Sequence, residues 1–123
     1  MDLLTLQLAE LHRRYPDARF ETTPDGQRVL LVPDVPTSPL WNMPTVTIRV
    51  VLPAGYPHVT LDCFYTEATL RLAFGGEPGN SSLQAVFGGQ YRWFSWHIPS
   101  WDPNTGTLDR YVRVCEARFR EAR

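Results

Sequence analysis

Tyr91-Arg92-Trp93-Phe94-Ser95-Trp96-His97-Ile98-Pro99-Ser100-Trp101-Asp102-Pro103 is the stretch on which the reading of this chain turns. Three tryptophans crowd into it, and Ser95 and His97 are the reactive side chains nearest the position where a nucleophile is sought. It runs into a C-terminal amphipathic segment. Thr107 is a good helix cap, because its side-chain oxygen accepts from an otherwise unpaired amide of the first turn. Leu108, Tyr111, Val112, Cys115 and Phe119 then recur at i, i+3, i+4, i+7 and i+11, one apolar stripe. The spacing predicts a helix over 107–121, with Arg113, Arg118, Arg120 and Arg123 supplying the charge that a helix C-terminus favours.

Upstream, from Thr66 to Pro103, hydrophobic period is lost. Gly75-Gly76, Pro78-Gly79 and Gly88-Gly89 punctuate a long loop, and a loop of that length in a compact domain is usually functional. Before it the chain reads as strands. Thr45 to Val51 alternates cleanly, and Thr60 to Tyr65 puts Leu61 and Cys63 on one, inward, face. Ala18 to Thr22 and Arg28 to Val32 flank the Pro24-Asp25-Gly26 turn. The four prolines between Pro33 and Pro44 predict an irregular crossing or an edge. At the start, Leu4, Leu8 and Leu11 form a helical stripe that ends at Tyr15-Pro16. The chain reads as a single domain, 1–123, of the α+β class: helix 2–14, a four-stranded antiparallel meander over 18–65, a long loop over 66–103 and helix 107–121.

Composition narrows the function classes. With 123 residues, 43% hydrophobic and 20% charged, the chain is long enough to bury a core and too apolar for a disordered one. A net charge of −1 provides no global attraction to nucleic acid or to an anionic membrane. No apolar run approaches the ~20 residues that span a bilayer, and no signal peptide is read at the start, so the expected location is the cytoplasm. Cys63 and Cys115 lack CxxC or Cys/His spacing, so neither a disulfide framework nor a metal site is expected, and no cofactor motif is present. All 12 basic residues are arginine, which fits a genome rich in arginine codons and also a protein that handles a lysine-directed modifier.

The order of these features carries a resemblance. Leu52-Pro53-x-x-Tyr56-Pro57 follows the third strand, Phe64-Tyr65-Thr66-x-x-x-Leu70-Arg71-Leu72 follows that, and Trp93-Phe94-Ser95-x-His97 precedes Trp101-x-Pro103 and the last helix. Over about residues 45 to 120 the chain resembles the ubiquitin-conjugating enzyme fold. It looks most like a prokaryotic conjugating-enzyme-like family found in bacterial ubiquitin-like conjugation operons. The resemblance implies a partner activating enzyme and a ubiquitin-like protein, with an N-terminal helix (Leu4, Leu8, Leu11, Arg13, Arg14) that helps dock the activating enzyme. It also departs from the family. Conjugating enzymes place the catalytic cysteine eight residues before the tryptophan of Trp-x-Pro, where this chain has Trp93, and their His-Pro-Asn element is replaced here by Thr66-Glu67-Ala68-Thr69-Leu70.

What remains is Ser95, six residues before Trp101. Residues i and i+2 of an extended chain share a face, so Ser95 and His97 are placed to act together. A serine hydroxyl needs an adjacent base, which His97 supplies, and the product is an oxyester to the modifier's C-terminal carboxylate. Asp102 is a candidate orienter of His97. Backbone amides at Gly88-Gly89 are candidate oxyanion donors, and Trp93, Trp101 and Pro103 support the loop. Cys63 and Cys115 are expected in the core. The expected function is acceptance of a ubiquitin-like modifier on serine. The alternative is a non-catalytic module of the same fold that binds the modifier or the activating enzyme.

Overall fold

The structure, a computed structural model, describes residues 2–96, 101–121 and 123. Helix α1 spans Leu3–Leu11, and the Asp2 carboxylate caps it by accepting from the Thr5 amide at 2.8 Å. Six strands follow: β1 (Arg19–Thr22), β2 (Arg28–Pro36), β3 (Thr45–Val51), β4 (Cys63–Glu67), β5 (Ser81–Val86) and β6 (Gly89–Ser95). Helix α2, Leu108–Arg118, closes the described order with Thr107 as its cap. The strands form one antiparallel sheet in the order β1-β2-β3-β4-β6-β5.

The α+β class and both helices agree with the expectation from sequence, but among the described residues the sheet has six strands rather than four. The expected loop over 66–103 contains the β5–β6 hairpin. Its two turn residues, Phe87 and Gly88, sit at φ 54° and 76° between the closing pair Val86 and Gly89. Positive φ at both central positions matches the turn to the twist of its strands, and Gly-Gly at 88–89 was its sequence signal. Strand β2 likewise runs past the expected stop at Val32 to Pro36. The first half of β2 is covered by β1, which pairs only with Arg28 to Leu31, so the proline-bearing half has one free edge where missing amides cost nothing. A one-residue bulge between Val32 and Val35, with Asp34 at φ 61°, absorbs the irregularity.

The helices cover one face of the sheet. Leu30, Val32, Val46, Ile48, Val50, Phe64 and Phe94 from the strands meet Leu11, Leu108, Tyr111, Val112, Cys115 and Phe119 from the helices, all buried. Phe64 and Phe94 stack at 4.9 Å, and Phe119 meets both rings edge-on at 5.8 and 6.0 Å. Each such ring contributes roughly 1.5–3 kcal/mol by leaving water. An ionic clamp joins the helices: Arg14 donates to Asp109 at 2.7 and 2.9 Å and to Glu116 at 2.5 Å, and the Tyr15 hydroxyl donates to Glu116 at 3.0 Å.

Candidate functional site

The register of β4 against β6 sets the chemistry at the open end of the sheet. Phe64 lies opposite Phe94 on the core face, so Cys63 and Ser95, their neighbours and also a cross-strand pair, point to the opposite face. Both are half-buried, and such partners have Cβ atoms about 4.5–5.5 Å apart. The inward placement expected for Cys63 is therefore corrected. Leu61 is buried but precedes β4, so strand alternation does not extend from it to Cys63. Burial still raises the Cys63 thiol, partly offset by a hydrogen bond from Trp93. Cys115 is fully buried in the stripe of α2, as expected, and its thiol is raised well above the ordinary value by that burial.

Ser95 ends β6, with its amide donating to the Asn80 carbonyl at 2.9 Å. Gly88 and Gly89 stand at the opposite end of that strand, six residues and about 20 Å away at ~3.3 Å per residue. They build the hairpin turn and do not reach Ser95, which corrects their expected part in an oxyanion hole. His97 lies outside the described residues. Trp93 faces outward with Ser95, opposite Tyr65.

Trp96 and Trp101 flank this segment, and each is held. The Trp96 carbonyl accepts from the Tyr111 hydroxyl at 2.7 Å. The Trp101 indole donates to the Pro57 carbonyl at 2.6 Å, its ring lies 5.9 Å from Tyr56, and it covers Gly106 so closely that a Cβ there would sit 2.5–2.8 Å from ring atoms. Tyr56-Pro57, joined by a cis bond, is thus the seat of Trp101. Asp102 is exposed and builds the turn after Trp101. Its carbonyl accepts from the amides of Thr105 (3.1 Å) and Gly106 (2.7 Å), and its carboxylate accepts from the Asn104 amide (2.9 Å). Pro103 is half-buried in that turn. A cleft of about 230 Å³ opens here, lined by Trp101, Gly106, Arg110, Arg113 and Val114 among others.

Gln7 was not marked in the sequence. It is buried, and its side-chain oxygen accepts from the Tyr56 hydroxyl at 2.5 Å and the Leu108 amide at 3.0 Å, tying α1, the Pro57 turn and the start of α2 together. Burial pushes the Tyr56 phenol up to about 12, against the lowering effect of Gln7, so it is a neutral donor at neutral pH. The available signal was position: Leu4, Gln7, Leu8 and Leu11 fall at i, i+3, i+4 and i+7, so Gln7 belongs to the inward stripe. Leu11 is fully buried and Leu4 and Leu8 pack against the core, while Arg14 is held in the ionic clamp. The outward side of α1 offers Leu3 (45% exposed), Leu6 (53%) and, just beyond the helix, Arg13.

Among the described residues, no three of His, Cys, Asp and Glu are placed to share a metal ion, and no helix is long and apolar enough to cross a membrane. With this geometry in hand, the family model described as Prokaryotic E2 family E matches residues 9–122. The chain belongs to prokaryotic E2 family E. Membership in this E2-like family brings a role in ubiquitin-like conjugation and, in general terms, dealings with ubiquitin-like modifiers and activating enzymes. The match covers β6, Trp101 and α2. No curated protein and no solved structure matches the chain.

Proposed function

We propose that this family E protein accepts a ubiquitin-like modifier from an activating enzyme as an oxyester on Ser95. The observation that carries this reading is the position of Ser95: half-buried at the end of β6, on the face away from the core, beside the anchored Trp96. In the transfer, Ser95 Oγ attacks the carbonyl of the modifier's thioester on the activating enzyme. A C–O bond forms, the C–S bond breaks, the hydroxyl proton passes to His97, and the thiolate leaves on the activating enzyme. The outward side of α1, with Leu3, Leu6 and Arg13, is the proposed docking surface, the inward leucines serving to hold the helix in place.

A second reading has its own observation in support. Cys63 is the cross-strand neighbour of Ser95 and is half-buried, so the same end of the sheet offers a thiol. Burial raises its pKa, which lowers the share of thiolate available to attack at neutral pH. Intact mass after incubation with activating enzyme, modifier and ATP separates the cases. A gain of one modifier mass that survives thiol reductant, yields to mild alkali and vanishes in Ser95→Ala supports the oxyester. A gain lost to reductant and absent in Cys63→Ser moves the site across the strand pair. Binding without a mass gain, with partners shown to be active, makes the protein a non-catalytic module.

A further inference from the structure

Two side chains of α2 converge on Trp96, the residue between Ser95 and His97. Tyr111 is 1% exposed, and its hydroxyl donates to the Trp96 carbonyl at 2.7 Å. Burial raises its pKa, so it stays a neutral donor. Two turns further on, Arg118 is also 1% exposed, with its guanidinium 5.4 Å from the Trp96 ring centre, 5.4 Å from Trp41 and 5.3 Å from Phe94. Its amino groups donate to the carbonyls of Glu121 (3.3 Å), Gly79 (3.0 Å) and Arg123 (2.5 Å), and its Nε has no partner among the described residues.

A buried cation with no side-chain carboxylate partner among the described residues is a costly way to fill space, and an apolar side chain of similar volume would do so more cheaply. A guanidinium adds a rigid plane that orients aromatic faces while its fork holds several carbonyls. We propose that Tyr111 and Arg118 are positioning residues for transfer at Ser95: Tyr111 pins the main chain one residue beyond the acceptor and Arg118 pins that residue's ring. The seryl hydroxyl then meets the thioester carbonyl in one orientation, which lowers the barrier without adding affinity. This inference rests on the acceptor reading above.

The test uses the full chain labelled with 5-fluorotryptophan, whose four resonances are assigned with single Trp→Phe variants. In Tyr111→Phe the Trp96 resonance should shift by more than its linewidth while those of Trp93 and Trp101 stay. In single-turnover transfer the rate constant should fall roughly 5- to 10-fold, the equivalent of one neutral hydrogen bond, with an unchanged concentration of charged activating enzyme at half-maximal rate. Arg118→Lys, which keeps the charge and loses the fork, should show the same split between rate and half-saturation. An unmoved Trp96 resonance, an unchanged rate constant, or a loss confined to half-saturation in Tyr111→Phe would overturn the inference. If the wild type forms no adduct, the acceptor reading falls and the inference with it. If the wild type transfers and Tyr111→Phe matches it, only the inference falls.

Discussion

Trp96 and Trp101 stand five positions apart in sequence and are held by different physics. Trp96 is gripped from α2, through a phenol on its carbonyl and a buried cation beside its ring. Trp101 is seated by shape: its indole donates to the Pro57 carbonyl, and its ring occupies the space that a side chain on Gly106 would need. The first anchor depends on two polar groups desolvated in the core. The second depends on one missing methyl group and one hydrogen bond. Both end on the same helix, since Gly106 immediately precedes its cap and Tyr111 lies in its second turn. Anything that shifts α2 therefore moves both ends of the segment that follows Ser95.

The largest expected effect is on the Trp96 side. Arg118→Ala removes a fully buried large side chain and the donors to three carbonyls, and should cost about 3 kcal/mol or more in urea unfolding. Gly106→Ala is the counterpart for Trp101. Its Cβ would meet the ring at 2.5–2.8 Å, so the ring or the turn must move, at an expected loss of about 2–3 kcal/mol. The fluorine spectrum should show Trp101 displaced and Trp96 unmoved, and the reverse pattern would break the comparison. Trp101→Phe keeps a ring but strands the Pro57 carbonyl, for about 1–2 kcal/mol. Tyr111→Phe, which deletes only one hydroxyl, should cost about 1 kcal/mol.

The smallest effect sharpens the role of the helix itself. Burial alone would raise the Asp109 carboxyl, but hydrogen bonds from Arg113 and Arg14, together with their charges, outweigh it and hold the carboxyl below its ordinary value. A carboxyl depressed in the folded state stabilises fully above its unfolded value, ~3.9, and the contribution is lost as pH falls through the lower folded value. The urea midpoint should therefore be insensitive to this group from neutrality to about pH 4 and then decline, with a shallower acid limb in Asp109→Asn. An unchanged limb would show that the clamp between α1 and α2 contributes nothing to holding α2.

Legibility followed the range of the interactions. The stripe Leu108, Tyr111, Val112, Cys115 and Phe119 is buried as read, because helical period depends only on neighbours three and four positions away. Thr107 caps as read for the same reason. The β5–β6 hairpin was missed although Gly88-Gly89 marked its turn, because Ser81 to Val86 lies at a sheet edge with little burial contrast and so little alternation to detect. From sequence, Arg118 belongs to the charge that a helix C-terminus favours. Its place three positions after Cys115 puts it on the inward stripe, but only packing against Trp41, Phe94 and Trp96 makes room for it.

The sequence by itself determined the α+β class, both helices, the Tyr56-Pro57 and Trp101-x-Pro103 punctuation and the family they indicate, since these rest on local period, turn chemistry and residue order. Only the tertiary structure decided that Cys63 faces Ser95, that Gly88-Gly89 stands far from it, and that Gln7, Tyr111 and Arg118 hold the elements around it. Those facts depend on strand register and on contacts between residues far apart in the chain. A one-residue slip of register would reverse every face, and nothing in the neighbouring residues records it.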